Sequence, residues 1–563
     1  MIVSRTLRWK HQLSSFSFCA ALVPAFSAAV AVASPTANAA KSTTSPTRRA
    51  ECAGARDIAL RNGRIVTMSS PATVSEIVIR DGRVVHLGSG SQRYFTPCTR
   101  VINLKGRTAI PGLTDAHIHL VTWGFRPGRD VRLDLATSIA DVQKIVAERA
   151  AGMAPGEWVT AVGGWYHTQL REDRLPTLAE LDEAAPRNPV FFWERDGMAA
   201  VTNTRGRAFF EAKGLTVASD GTITPAGGMA AVAYSTLAHQ ETNAERGTLE
   251  AMTQLASVGI TTAADAGVNA APAGTRPAER SWHSGHVDVF TAYDPIFALA
   301  QADRLSTRVR ISMLDVPDGP EHTPERLKYQ FPLFGSDMFK TLCLGEFIST
   351  TPAKYKEAAS AVAARGGWCH EQHTTGTANI RSFVDVWERI NARYSLKVRH
   401  WRLAHVWDID SDSLTRLRAL GAGVNVGPVL YADLKMGPKT AMAYRMIIGS
   451  GIPVAGISDG PNYMPVDPWV HIALMVTGKD SLGRQVIQPD QTLTRVQALR
   501  LYTVNSGWFM QDDKIGTIKL HGFGDIVVLD RDYFTVPEDR IRTTRAALTI
   551  VDGRVVYEQS MRR

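Results

Sequence analysis

Between about residues 109 and 506, short apolar runs alternate with segments of helical periodicity, among them 140–151, 246–258, 354–365 and 380–393. Each helix must bury a stripe and each strand a face, and strict alternation of the two is satisfied by parallel βα units. At 563 residues and 44% hydrophobic content, the chain is long enough for a large barrel with a second module beside it. The stretch 155–240 holds more Gly, Pro and aromatic residues than one βα unit needs, which predicts an insertion beside the barrel mouth.

The flanks carry a different pattern. Ile58–Val66 and Glu76–Val85 each suggest two short strands around Asn62-Gly63 and Asp81-Gly82, and Thr549–Tyr557 repeats the arrangement around Asp552-Gly553. Both ends are therefore expected to build one β-sandwich, from 57–108 and 507–563, with the barrel over 109–506 between them. Residues 40–56 form a flexible lead-in rich in small polar residues. Ahead of it, Arg5, Arg8 and Lys10 precede an apolar stretch from Phe16 to Val32 and a small-residue Ala37-Asn38-Ala39 site. That predicts a signal peptide over 1–39, export to the periplasm or medium, and no stable membrane anchor once it is cleaved. The alternative of a retained anchor is disfavoured by Pro24 inside a run that is barely long enough to span.

The formal charge of +9 comes from 63 basic and 54 acidic residues, and removing the three basic residues of the leader leaves +6. These charges are dispersed with no basic run interleaved with aromatics, so nucleic-acid binding is excluded as a leading function. After loss of Cys19, four cysteines remain. In an oxidising compartment Cys52 and Cys98 form either a disulfide or two free thiols, while Cys343 and Cys369, inside apolar runs, are expected as buried inert thiols or pocket-lining groups.

The run Ile110–Leu120 ends in His117-Ile118-His119. Alternate side chains of a strand share a face, so both imidazoles can reach one metal ion. Further candidate ligands end later strand-like runs: Lys340, His370, His405 and Asp459. A (β/α)8 barrel assembles its site from the C-terminal ends of several strands and can bring them together.

In this order the residues resemble the amidohydrolase superfamily, with H-x-H on the first strand, lysine on the fourth, histidines on the fifth and sixth and aspartate on the eighth. Gly259–Gly267 is similar to its third strand, and the sandwich segments Gly516-Thr517-Ile518, Gly524–Asp530 and Val551–Val556 also fit. Gly163-Gly164-Trp165, Arg174-Leu175-Pro176-Thr177 and Ala185–Val190 resemble family 3, the branch that includes N-substituted formamide deformylases.

The resemblance implies a fold with a (β/α)8 TIM-like barrel and a β-sandwich from both chain ends. It also implies one or two divalent ions, zinc being the expected metal. His117, His119 and Asp459 would hold one ion and His370 and His405 a second. Lys340 would bridge as a CO₂-derived carbamate, with Glu346 as a rival carboxylate. Asp459 would act as general acid and base on a small-molecule amide or N-formyl amine. The same chemistry serves an ester, lactone or carbamate, and a catalytically weak ligand-binding relative is the alternative of another class. A homo-oligomer is compatible with the sequence.

The chain departs from the branch at Glu371-Gln372-His373-Thr374, at Ala404 and at Cys343-Leu344-Gly345, which alters the groups around the ligands. Trp165, His167, His373 and Tyr463 are candidate substrate-binding residues. With Trp123, Tyr166, Trp193 and Trp368, the aromatic members suggest a partly apolar substrate. Packing of the inserted segment explains the same aromatics equally well.

Overall fold

The barrel strands follow one another in chain order, each hydrogen-bonded in parallel to the next. They are β1 (Leu113–Ile118), β2 (Ile260–Asp265), β3 (Arg308–Met313), β4 (Phe339–Phe347), β5 (Cys369–His373), β6 (Arg402–Ala404), β7 (Gly423–Val426) and β8 (Val454–Gly456). The ring closes where β1 meets the turn after β8. There the Asp459 amide donates to the His117 carbonyl at 3.0 Å and the His119 amide to that of Gly460 at 2.8 Å. This computed structural model describes residues 52–126, 129–194, 198–238, 243–267, 293–313, 330–347, 366–374, 376–427, 442–461 and 464–559. The leader 1–39, the lead-in as far as residue 51 and the helix expected over 354–365 lie outside the described residues.

Helices pack on the barrel by the faces their sequences prescribe. Thr377–Asn391 buries Ile380, Phe383, Val384, Trp387 and Ile390, the three-and-four spacing of one helical stripe. Ala244–Ser257 starts at Asn243, whose side chain accepts from the Arg246 amide and so satisfies an end donor of the first turn.

Both ends of the chain build the β-sandwich. One sheet has four strands, Arg83–Leu87, Ile77–Arg80, Ile58–Arg61 and Arg100–Asn103 in spatial order. The other has six, in which Ile526–Leu529 from the C-terminal segment lies antiparallel to Thr108–Pro111 from the N-terminal one. Only Gly112 separates Thr108–Pro111 from β1, so one run of chain leaves the sandwich and enters the barrel. A Cβ at Gly112 would meet the Thr261 hydroxyl at 2.1 Å, a contact only glycine avoids. Beside this crossing, Arg308 of β3 is fully buried and forms a fork with Asp525 at 2.6 and 2.9 Å. Its guanidinium also lies 3.7 Å from the Phe523 ring centroid.

The inserted region makes its own five-stranded sheet, in the order Thr222–Ile223, Ala200–Thr202, Val190–Trp193, Val159–Val162 and Arg129–Asp130. The sheet thus begins at Arg129, ahead of the expected start near 155. Because its strands pair with one another, the run expected as the third strand is the second around the barrel. Trp123, Trp165, Tyr166, Trp193 and Trp368 are all buried. Trp165 packs on Phe192 at 5.9 Å within the insertion's core.

Cys343 and Cys369 are not inert thiols. They are partners in the register of β4 on β5 and form a disulfide with a Cα–Cα separation of 4.7 Å.

Truncating Asp525 to alanine removes the fork on the buried Arg308 guanidinium and leaves Asp552, at 3.5 Å, as its nearest carboxylate. We expect the Asp525→Ala protein to lose about 3–5 kcal/mol of stability, read as a lowered urea midpoint; an unchanged midpoint would show that the fork does not hold barrel and sandwich together.

Candidate metal centre

The barrel mouth gathers His117 at the end of β1, His119 just past it, Glu346 near the end of β4, His373 at the end of β5, His405 after β6 and Asp459 after β8. Two sets of ligand atoms lie within 4.8 Å of one another, His117, His119, Glu346 and Asp459 in one and Glu346, His373 and His405 in the other. Glu346 belongs to both. Its Oε2 lies 3.6 Å from His117 Nε2 and 3.9 Å from His119 Nε2, while its Oε1 lies 2.5 Å from His373 Nδ1 and 2.6 Å from His405 Nε2. Asp459 Oδ1 completes the first set, 3.4 Å from His117 Nε2 and 3.3 Å from His119 Nε2.

Backbone contacts fix these positions. The Glu346 amide donates to the Ala266 carbonyl at 2.8 Å, tying the end of β4 to that of β2. Asp115, two residues before His117, accepts at Oδ1 from the amides of His117 at 3.2 Å and Ser458 at 3.0 Å. Its carboxyl, removed from water by burial, is pushed up to about 6 despite those bonds.

A carboxylate on the far side of the ring sets the tautomer of His117. Glu371 Oε1 lies 2.8 Å from His117 Nδ1, so the carboxylate holds a proton on that nitrogen and Nε2 is the nitrogen that faces the centre. Arg402 donates to the other oxygen of Glu371 at 3.0 Å and, with His117, holds that carboxyl down to about 2 against the opposing effect of burial. Imidazole bonded to carboxylate on one side and free to ligate on the other is the usual arrangement of a metal-bound histidine.

The field of the site is that of a cation cage. Glu346 is buried, which by itself would raise its pKa, yet the surrounding His373, His405 and His117 hold it well below the ordinary carboxylate range. His117 is driven well above the ordinary histidine value because Glu371 and Glu346 outweigh its burial. Buried carboxylates facing imidazole nitrogens need positive charge between them, and an N/O donor set of this kind suits a divalent metal. The donor atoms thus fit one ion on each side of Glu346.

The structure does not bring Lys340 or His370 into this cluster. Lys340 stands at the opposite end of β4, six residues or roughly 20 Å of strand from Glu346, with its ammonium 3.6 Å from Asp337 and 3.7 Å from Asp512. Glu346, at the mouth end of that strand, is the residue common to both clusters. His370 falls on the other face of β5 from Glu371 and His373, since side chains alternate. It is fully buried, its ring 5.2 Å from that of Trp401 and 6.3 Å from Trp387, and burial pulls it down to about 3. His373, expected only near the substrate, joins Glu346 and His405 in the second cluster. His167 is bonded to Glu194 through Nδ1 at 2.8 Å and lines a cavity of about 350 Å³ with Arg174, Leu175 and Met198. Tyr463 lies outside the described residues.

Arg402 and Asn425 escaped the sequence analysis, and Glu371 entered it only as a departure from the branch, without its bond to His117. The available signal was spacing, because Glu371 and His373 are two apart on one strand and share its inward face.

A closed parallel barrel with imidazoles and carboxylates at the C-terminal mouth defines a metal-dependent hydrolase of the TIM-like class. The model of the amidohydrolase family matches residues 100–557, and the chain belongs to that family, as an enzyme acting on carbon–nitrogen bonds. It is 24% identical over 555 residues to an N-substituted formamide deformylase of Arthrobacter pascens, covering 90% of this chain and 99% of the relative. It is also 24% identical over 543 residues to a putative amidohydrolase of Bacillus subtilis, covering 88% and 99%. An uncharacterized metal-dependent hydrolase from Pyrococcus furiosus shares the fold with a TM-score of 0.57 at 20% identity, over 85% of this chain and 100% of that one. So does an atrazine chlorohydrolase from Arthrobacter aurescens complexed with zinc and atraton, with a TM-score of 0.52 at 16% identity over 89% and 95%.

Metal content separates the two candidate bridges. Lys340→Met is expected to keep the wild-type metal stoichiometry and Glu346→Gln to lose metal, by elemental analysis of protein purified without chelator. Loss of metal in the Lys340 variant with retention in the Glu346 variant would reverse the assignment.

Proposed function

We propose that the protein hydrolyses an amide or N-formyl amine of a small molecule, with Asp459 moving the proton at a centre whose histidines, Glu346 and Asp459 would hold zinc. The observation that carries this is the placement of Asp459, whose carboxylate faces the donor set shared by His117, His119 and Glu346. When bound, a divalent ion supplies Lewis acidity, polarising a carbonyl and lowering the pKa of water from about 15.7 towards 7.

The remaining work falls to the chain. Asp459 is buried, which acts to raise its pKa, but hydrogen bonds from His117 and His119 and the charge of His405 hold it well below the ordinary carboxylate range. It is therefore ionised at neutral pH and able to accept a proton from the attacking water at a carboxylate oxygen. Delivered to the departing nitrogen, that proton converts a poor leaving group into a neutral amine. An amide gains more from this transfer than an ester, whose alcohol leaves more readily. The name of the Arthrobacter pascens relative supports N-formyl amines within the class. Export of the mature protein, argued from the leader, belongs to the same proposal and places the activity in the periplasm or medium.

A panel of N-aryl and N-alkyl formamides, acetamides and matched esters, assayed before and after chelation, tests the substrate class. Chelator-sensitive release of amine from the formamides is expected; turnover of the esters alone would sink the amide assignment. Asp459→Asn is expected to lower kcat on the best amide by roughly 10²–10⁴-fold, and a variant as fast as wild type would remove Asp459 from the proton transfer.

A further inference from the structure

One buried side chain on β7, a strand that supplies none of the clustered ligands, touches both halves of the centre. Asn425 is fully buried. Its Oδ1 accepts from the His405 amide at 2.6 Å, and its Nδ2 donates to Glu371 Oε1 at 2.7 Å. That Glu371 oxygen is the same one bonded to His117 Nδ1 at 2.8 Å. We infer that Asn425 is a positioning residue that sets the geometry of both metal positions at once, an inference that rests on the metal-centre assignment above.

Two physical requirements meet at this amide. His405 has φ 37°, in the left-handed region that a residue with a Cβ seldom occupies. Something must hold its backbone there, and Asn425 does so from both ends, its side chain taking the His405 amide and its main-chain carbonyl accepting from Val406 at 2.9 Å. The imidazole of His405 then points at Glu346 Oε1. On the other side, Glu371 Oε1 accepts from two donors, the Asn425 amide and the His117 ring, while Arg402 holds the second oxygen. This fixes the plane of the carboxylate, and the plane fixes where the His117 proton sits and which nitrogen faces the metal.

An amide is suited to this position because it offers an acceptor and a donor on one rigid plane. Aspartate has the same volume and keeps an acceptor for the His405 amide, but it turns an acceptor towards Glu371. Alanine removes both contacts. A residue that merely filled space would be replaced by aspartate without effect on metal binding.

The test is titration of metal-free full-length protein with cobalt(II), following the visible absorption bands that report coordination geometry. Asn425→Ala is expected to bind cobalt 10–100-fold more weakly than wild type with altered bands. Asn425→Asp, which keeps the side-chain volume and whose folding is checked by thermal melting, is expected to retain one of two tightly bound ions, the one beside His373 and His405. Wild-type affinity, stoichiometry and bands in both variants would overturn the role of Asn425 while leaving the metal centre intact. Failure of the wild type to bind cobalt would overturn the centre and this inference together.

Discussion

Everything at the barrel mouth turns on one carboxylate placed where two groups of imidazoles meet. Glu346 is buried, and each of its oxygens faces a different set of nitrogens. A charge removed from water must be compensated nearby, so the strands that carry His117, His373, His405 and Asp459 are held in the registers that bring them to it. The Ala266 carbonyl fixes the Glu346 amide and the Glu371–Arg402 pair fixes His117. Ring closure between β1 and β8 then sets Asp459 against both histidines.

The rest of the fold supports that mouth from outside. Thr108–Pro111 of the sandwich runs into β1 through a single glycine, and Asp525 reaches from the sandwich to Arg308 on β3. Such a buried fork does little for net stability relative to an apolar replacement, yet losing one partner is costly. It therefore serves mainly to fix how the two sheets of strands sit together. The insertion is anchored similarly. At Gly164, with φ +73°, a Cβ would lie 3.2 Å from the Met464 carbonyl, so the turn that leads to His167 packs against the segment following Asp459.

The divergence between sequence and structure at the site has two simple geometric sources. Lys340 opens a strand that continues to Phe347, and a ligand must stand at the C-terminal end of such a strand. The sequence shows an apolar run but not which end of it meets the mouth. His370 and His373 differ by three residues, an odd number, so in a strand they point to opposite faces. Which of the two faces inward depends on the register of β5 against β4 and β6, and that is set by pairing with residues far away in the chain.

Residues whose role depends on strand order and local spacing were legible in the sequence. Apolar alternation dictated parallel βα units, the turn dipeptides marked the sandwich strands at both ends although those flanking Asn62-Gly63 enter different sheets, and His117, His119, His405 and Asp459 stood at the ends of the expected runs. Packing decided the rest. The disulfide between Cys343 and Cys369, the shared carboxylate of Glu346 and the bridging amide of Asn425 all join residues from different strands. Local periodicity tells which residues share a face of one strand, whereas contacts between strands exist only once register and closure of the barrel have brought distant faces together.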